Sequence, residues 1–387
     1  MQTQLRNHSS TLSQQRNAEI EQKLSWMRKA LYETHATGLR LRGIDWFSWA
    51  TAGGSNMVLL AAETGVAEVL VTLDGAWILT DEIEAQRLQD EEIPAGSAYQ
   101  FAVNPWTEID IREAFVRETT QGGRIISDLP LMTLNDRPIL AETSLPNTLV
   151  NRKRSLLPSE VERYRQVGQL ASEAMTEVLP QARPDWTEVQ LAGAGAAALW
   201  ARGLHPALTL AAGEQRLQKY RHTLPKQEKI GRAAMLVFCA RGFGLYANLT
   251  RFVYFDRLSE TEASLHHQVR EIEAAALNQC QVETPLDQIY LTLQQAYEQH
   301  GYPNAIREHH QGGTTGYLSR EVIATPTTSD RLAANTAMAW NPSLSGAKIE
   351  DTFLLHEDDH LENLTLDPNW NSIEVHQQQR PLPLERI

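Results

Sequence analysis

The chain is short of cysteine, short of positive charge and without any long apolar run, and each shortage removes a class of protein. Its two cysteines, Cys239 and Cys280, stand too far apart to form a redox pair or a zinc-type spacing. A net charge of −13, from 35 basic and 48 acidic residues, leaves no basic surface for phosphates, so nucleic acid is not expected as a partner. No apolar stretch approaches the roughly 18 residues that span a bilayer, and the polar opening from Met1 to Arg16 lacks the apolar core of a signal peptide. A cytoplasmic protein with no membrane partner is expected. What is present is a globular composition, 387 residues with 42% hydrophobic and 21% charged, enough for two domains with separate cores.

The first part of the chain mixes helical and strand patterns. After a polar tail, Ile20, Leu24, Met27 and Leu31 mark one face of a helix over Asn17 to His35. Short β-prone runs follow at 38–43, 44–51, 56–61, 67–72 and 76–80, with Asp74-Gly75 as a hairpin turn. Glu82 to Glu92 returns to helical spacing, and 123–128 reads as a strand. The segment 147–158, with two prolines and Arg152-Lys153-Arg154, reads as an exposed linker. Beyond it, helices are expected from Pro158 through Val178, from Thr187 to Gly203, and over 260–277 and 286–300. Strands are expected at 209–212, 233–240, 244–253, 316–323, 336–341 and 352–355. The fold class is α/β (α+β).

Residues able to do chemistry crowd into the last third. His309-His310 precede the pair Gly312-Gly313, then come Arg320-Glu321, Asn341-Pro342 and Lys348-Ile349-Glu350-Asp351-Thr352. Upstream, His222 sits in a polar loop ahead of Pro225 and the strand that bears Cys239, and Asn248-Leu249-Thr250-Arg251 lies on the next strand. A histidine exchanges protons near neutrality, which a carboxylate does only after a large shift. Glu350, a carboxylate among Asn, Gly and apolar residues, is either hydrogen-bonded or raised in pKa by burial. Cys239 packs as a small buried residue or acts as a nucleophile, and His309 and His310 face either a pocket or solvent.

These motifs, in this order, resemble the creatinase/prolidase/methionine-aminopeptidase superfamily (M24-like). The likeness rests on a glycine turn, an Asn-Pro where Glu-Pro stands in the metal enzymes, and Ile349-Glu350-Asp351-Thr352. It implies a small mixed α/β N-terminal domain over 1–150 and a pita-bread domain over 151–387, with a curved antiparallel sheet, flanking helices and a site inside. It also implies five metal-ligand positions, which here hold Cys239, Asn248, Gly313, Asn341 and Glu350. Neutral Asn offers no charge to a hard divalent ion, so no metal and no cofactor are expected. Arg320-Glu321 is similar to the Arg-Glu of creatinase. By the resemblance His222 contacts substrate and is the acid/base, with His310 its competitor and Glu350 the third catalytic residue. Asn248, His309, Arg320, Glu321, Asn341 and Cys239 bind substrate. The expected activity is metal-independent, creatinase-like hydrolysis of a C–N bond in a small polar amide, amidine or amino-acid-like compound by a homodimer, with Trp46 to Trp49 as an exposed contact. The alternatives are a non-catalytic ligand-binding relative and a metal-dependent Xaa-Pro peptidase.

Overall fold

Burial of Ile20, Leu24, Met27 and Leu31 fixes one side of the first helix, Gln2–Thr34, against the core of the N-terminal part. The structure, a computed structural model, describes residues 2–134, 137–138 and 141–387. It divides into two compact units, Met1–Glu160 and Val161–Ile387. The helix begins at Gln2, so the expected tail is instead its first turns; Met1 lies outside the described residues.

The first unit holds a six-stranded mixed sheet in the order Gln100–Asn104, Ala76–Asp81, Thr64–Val71, Gly38–Gly43, Ile125–Ser127, Glu142–Ser144. The Asp74-Gly75 hairpin is present, pairing Val71 with Ala76. Four expectations fail here. The run 44–51 is a helix, Ile44–Ala50, and its Trp46 and Trp49 are 7% and 0% exposed. Trp49 packs on Trp26 and Trp46, so these rings are core and offer no exposed contact for a second copy. The segment read as a linker contains the helix Asn147–Arg154, and Lys153 is buried in an ion pair with Asp45 at 2.8 Å. Bulky apolar residues read as strand when their neighbours are ignored, and the cationic run hid a side chain whose charge is satisfied inside. No strand forms over 56–61.

In the second unit, the strands His205–Gly213, Ala233–Gly242 and Leu245–Tyr254 form one antiparallel array, extended at its edge by Leu384–Glu385. A second array runs Val322–Ile323, Gly312–Thr315, Thr336–Trp340, Asp351–Leu355, Leu361–Asn363. The two meet where Thr250 N–H donates to Glu350 O at 3.0 Å and Tyr246 N–H to Gly316 O at 2.8 Å. Together they make the curved sheet expected of a pita-bread domain. Helices Pro158–Val178 and Glu188–Trp200 cover the first array through Val167, Leu199, Leu236 and Phe238. Helices Glu260–Leu277 and Leu286–Gln299 cover the second through Ile272, Leu293, Met338 and Phe353. Capping boxes start two of them, Thr187 with Gln190 and Ser259 with Glu262, which satisfies backbone donors that a helix start leaves free.

The expected strand 316–323 is displaced. Pairing begins at Gly312 and stops at Thr315, and 316–321 is a turn before Val322–Ile323. The glycine pair explains the shift. Gly312 and Gly313 have φ of 101° and 150°, and a Cβ on either would lie 2.0 Å from a carbonyl oxygen, of Ala339 and Val322 respectively. The close approach that these glycines allow is therefore to neighbouring strands. Among the described residues, no helix is long and apolar enough to cross a membrane.

Candidate active site

The two long strands place their side chains by register. Cys239 pairs with Asn248, and Thr250 follows two residues on, so all three share one face of the sheet. Thr250 Oγ1 donates to Glu350 Oε2 at 3.1 Å, which brings the surviving carboxylate onto that face. Glu350 is 2% exposed. Arg320 Nη2 donates to its Oε1 at 2.5 Å, and Lys348 Nζ lies 3.4 Å from Oε2. Burial pushes this carboxyl up, but Lys348 and Arg320 overcome it and hold the group down at about 2. Lys348 and Glu350 stand two apart, the spacing at which an extended chain returns to the same side. Glu350 is thus held ionised at neutral pH by two neighbouring cations, an arrangement that suits anchoring Arg320 and Lys348.

Three histidines gather beside this charge group. His309 Nε2 is 2.9 Å from His222 Nε2, and the rings of His309 and His310 stack with centroids 4.5 Å apart. His222 and His310 rings are 5.8 Å apart. His309 is buried, held at the end of the segment that leads into Gly312, whereas His222 is exposed. Desolvation of the packed side of the His222 ring and the charge of Lys348 push its imidazole below the usual value, and burial with Lys348 takes His309 down to about 3. Burial and Arg320 take His310 to about 4. The cluster is uncharged at pH 7. One ring of the His222–His309 pair donates and the other accepts, an arrangement suited to passing a proton from an exposed ring to a buried one.

The remaining expected residues divide. Asn248 Nδ2 donates to Thr315 Oγ1 at 3.2 Å, and among the described residues its Oδ1 and that of Asn341 are buried without a hydrogen-bond partner. Arg320 Nε and the Nδ1 atoms of His309 and His310 are in the same condition. Buried polar atoms normally find partners, so such a concentration marks a place that a ligand completes. The Glu321 carboxylate accepts from Leu318 N–H at 3.1 Å and braces the turn after the glycine pair. Burial and Glu350 push the Cys239 thiol up to about 12, which weighs against a thiolate nucleophile at neutral pH. Lys348 and Thr250 were not singled out from the sequence, although the i, i+2 relation of Lys348 to Glu350 carried the signal.

The five family ligand positions do not fit a pair of divalent ions. Two are neutral amides, one is a thiol, a soft ligand where a pair of hard ions wants carboxylates, and Glu350 already faces two fixed cations. The fifth, Gly313, has no room for a side chain. A different set has metal-binding geometry: one nitrogen each from His222, His309 and His310, all within 4.8 Å of one another.

Protonation of this cluster opposes folding. His309 and His310 titrate at about 3 and 4 in the folded chain and near 6.5 when unfolded, so the unfolded chain binds more protons below pH 6.5. Their contribution is complete above that pH and is lost as pH falls towards 4 and below. In chelator-treated protein the urea midpoint is expected to drop between pH 6.5 and 4, and the double variant His309→Gln, His310→Gln should flatten that slope. An unchanged slope would show that the cluster is solvated.

Residues 162–357 match the model of metallopeptidase family M24. The chain is similar to the X-Pro aminopeptidase from Thermotoga maritima MSB8, with a TM-score of 0.73 at 18% identity over 89% of this chain and 98% of that one. It is similar to the Xaa-Pro dipeptidase from Bacillus anthracis, with a TM-score of 0.74 at 17% identity over 95% and 99%. The prolidase from Pyrococcus furiosus gives a TM-score of 0.72 at 14% identity over 88% and 99%. At such identities the likeness speaks for the fold. A search of curated proteins finds no relative.

Proposed function

Because the chain belongs to metallopeptidase family M24 while its ligand positions suit no dinuclear metal, we propose that it is a metal-independent, creatinase-like hydrolase of a C–N bond in a small polar amide, amidine or amino-acid-like compound. The observation that supports this reading most is the uncharged histidine cluster beside a carboxylate already neutralised by Arg320 and Lys348. His222, the exposed member, takes a proton from water as the C–O bond forms and returns it to the nitrogen as the C–N bond breaks. The unpartnered Oδ1 atoms of Asn248 and Asn341 accept from the substrate's N–H groups. Arg320 Nε offers a donor to a carboxylate or carbonyl. His309 orients His222 through their 2.9 Å contact. Glu350 fixes Arg320 in place.

The test is release of ammonia or amine from a panel of amides, ureas, amidines and Xaa-Pro dipeptides by chelator-dialysed protein. Turnover of a small amide or amidine is expected. Turnover of Xaa-Pro dipeptides alone, restored by divalent metal, would overturn the reading, and binding without turnover of any compound would favour a ligand-binding relative.

A second reading is favoured by the three convergent imidazole nitrogens. Neutral imidazoles are good ligands for one zinc-like ion with an open position. It requires close to one metal per chain, lost in His310→Asn. The protein is further proposed to act as a cytoplasmic homodimer; light scattering at micromolar concentration should give twice the mass of one chain, and the mass of a single chain would refute it.

A further inference from the structure

Helix Glu260–Leu277 buries three polar side chains on one face, His266, Arg270 and Glu273, spaced four and three residues apart. Two are satisfied. His266 meets the Tyr254 hydroxyl at 3.0 Å, and Glu273 accepts two bonds of 2.7 Å from Arg380. Arg270 is different. It is 8% exposed, its Nε is buried without a hydrogen-bond partner, and among the described residues no ion pair in contact reaches it.

Beside it lies a cavity of about 20 Å³, measured to the centre of a water-sized sphere, between this helix, the strand Leu245–Tyr254 and Pro381–Pro383. Its charged walls are Arg251, Arg270 and Lys348, with His266 and Thr250 as polar neighbours and, among the described residues, no carboxylate. Arg251 and Lys348 are committed to Asp351 and Glu350, at 2.8 and 3.4 Å. On the flanks, Arg380 repels Arg270, and Glu271 and Glu273 attract it only from a distance. A guanidinium nitrogen buried without an acceptor is costly, and a counter-charge drawn to the accessible side of the group relieves it.

We propose that this cavity binds a small monovalent anion of chloride size, held by Arg270 with Arg251 and Lys348 at its sides. The volume suits one or two water-sized species, which fits a chloride-sized ion better than a bulkier oxyanion. The proposal stands apart from the hydrolytic reading, since it needs neither a substrate nor the histidines.

The test is thermal unfolding of the full chain at constant ionic strength, with chloride or bromide replacing gluconate, an anion too large for the cavity. The melting temperature is expected to rise saturably with chloride and with bromide, by about 2–4 °C near saturation. Arg270→Met should abolish the difference between anions, while the exposed-site variant Arg257→Gln should keep it. Equal melting in chloride and gluconate at all concentrations, or an undiminished chloride response in Arg270→Met, would overturn the proposal. Should Arg270→Met fail to fold, an anomalous bromide peak against Arg270 in crystals of the wild-type protein supports the site, and no peak at saturating bromide refutes it.

Discussion

Replacing His222 with asparagine is expected to lower kcat by about 100-fold to 10,000-fold, the usual worth of a general acid/base, with a much smaller change in KM. The expectation rests on position. His222 is the exposed member of the cluster, and its Nε2 lies 2.9 Å from the buried His309 ring. Asparagine keeps a polar group there but cannot carry a proton. Burial and Lys348 lower the imidazole pKa, so the base is already neutral at pH 7. The rate of the wild-type enzyme should therefore climb with pH through an inflection below 6.5 and level off above it. The His222→Asn variant should lose that limb. Near-normal turnover in His222→Asn, together with its abolition in His310→Asn, would transfer the role to the stacked pair.

The second large effect is on stability. Glu350→Gln is expected to cost about 3–5 kcal/mol, because it leaves Arg320 and Lys348 partly buried without their shared counter-charge. Lys348→Met added to Glu350→Gln should recover part of the loss, since it removes one of the stranded cations. Urea unfolding of the two variants measures both effects. A cost under about 1 kcal/mol for Glu350→Gln would mean that water or another group neutralises those cations.

Most of this architecture was legible in the sequence where periodicity and turn chemistry agreed. The helix over 260–277 and the Asp74-Gly75 hairpin are examples, each with capping or turn residues beside an apolar pattern. Legibility failed where side chains answer to distant partners. Ile44–Ala50 is rich in residues that favour strands, yet it is a helix whose tryptophans fill the core. Lys153 looked like part of a solvated run, and only Asp45, more than a hundred residues earlier, explains its burial. In the site, the resemblance pointed to His222 and the crowding of polar residues before the glycine pair to His309 and His310, but nothing in the sequence gave the short distance between their rings. Glu350 was recognised as a surviving carboxylate. That Arg320 and Lys348 hold it as a permanent anion depends on the fold bringing a turn and a strand together, which no local pattern encodes.

The central claim is that the chemistry of this pocket runs on the histidine cluster and not on the dinuclear metal centre that its ligand positions no longer fit. Elemental analysis of protein purified without chelator, combined with turnover before and after exhaustive dialysis against chelator, tests it most directly. The account predicts substoichiometric Mn, Co and Zn, and activity unchanged by dialysis. Roughly two such ions per chain, removed together with activity and restored together, would contradict it.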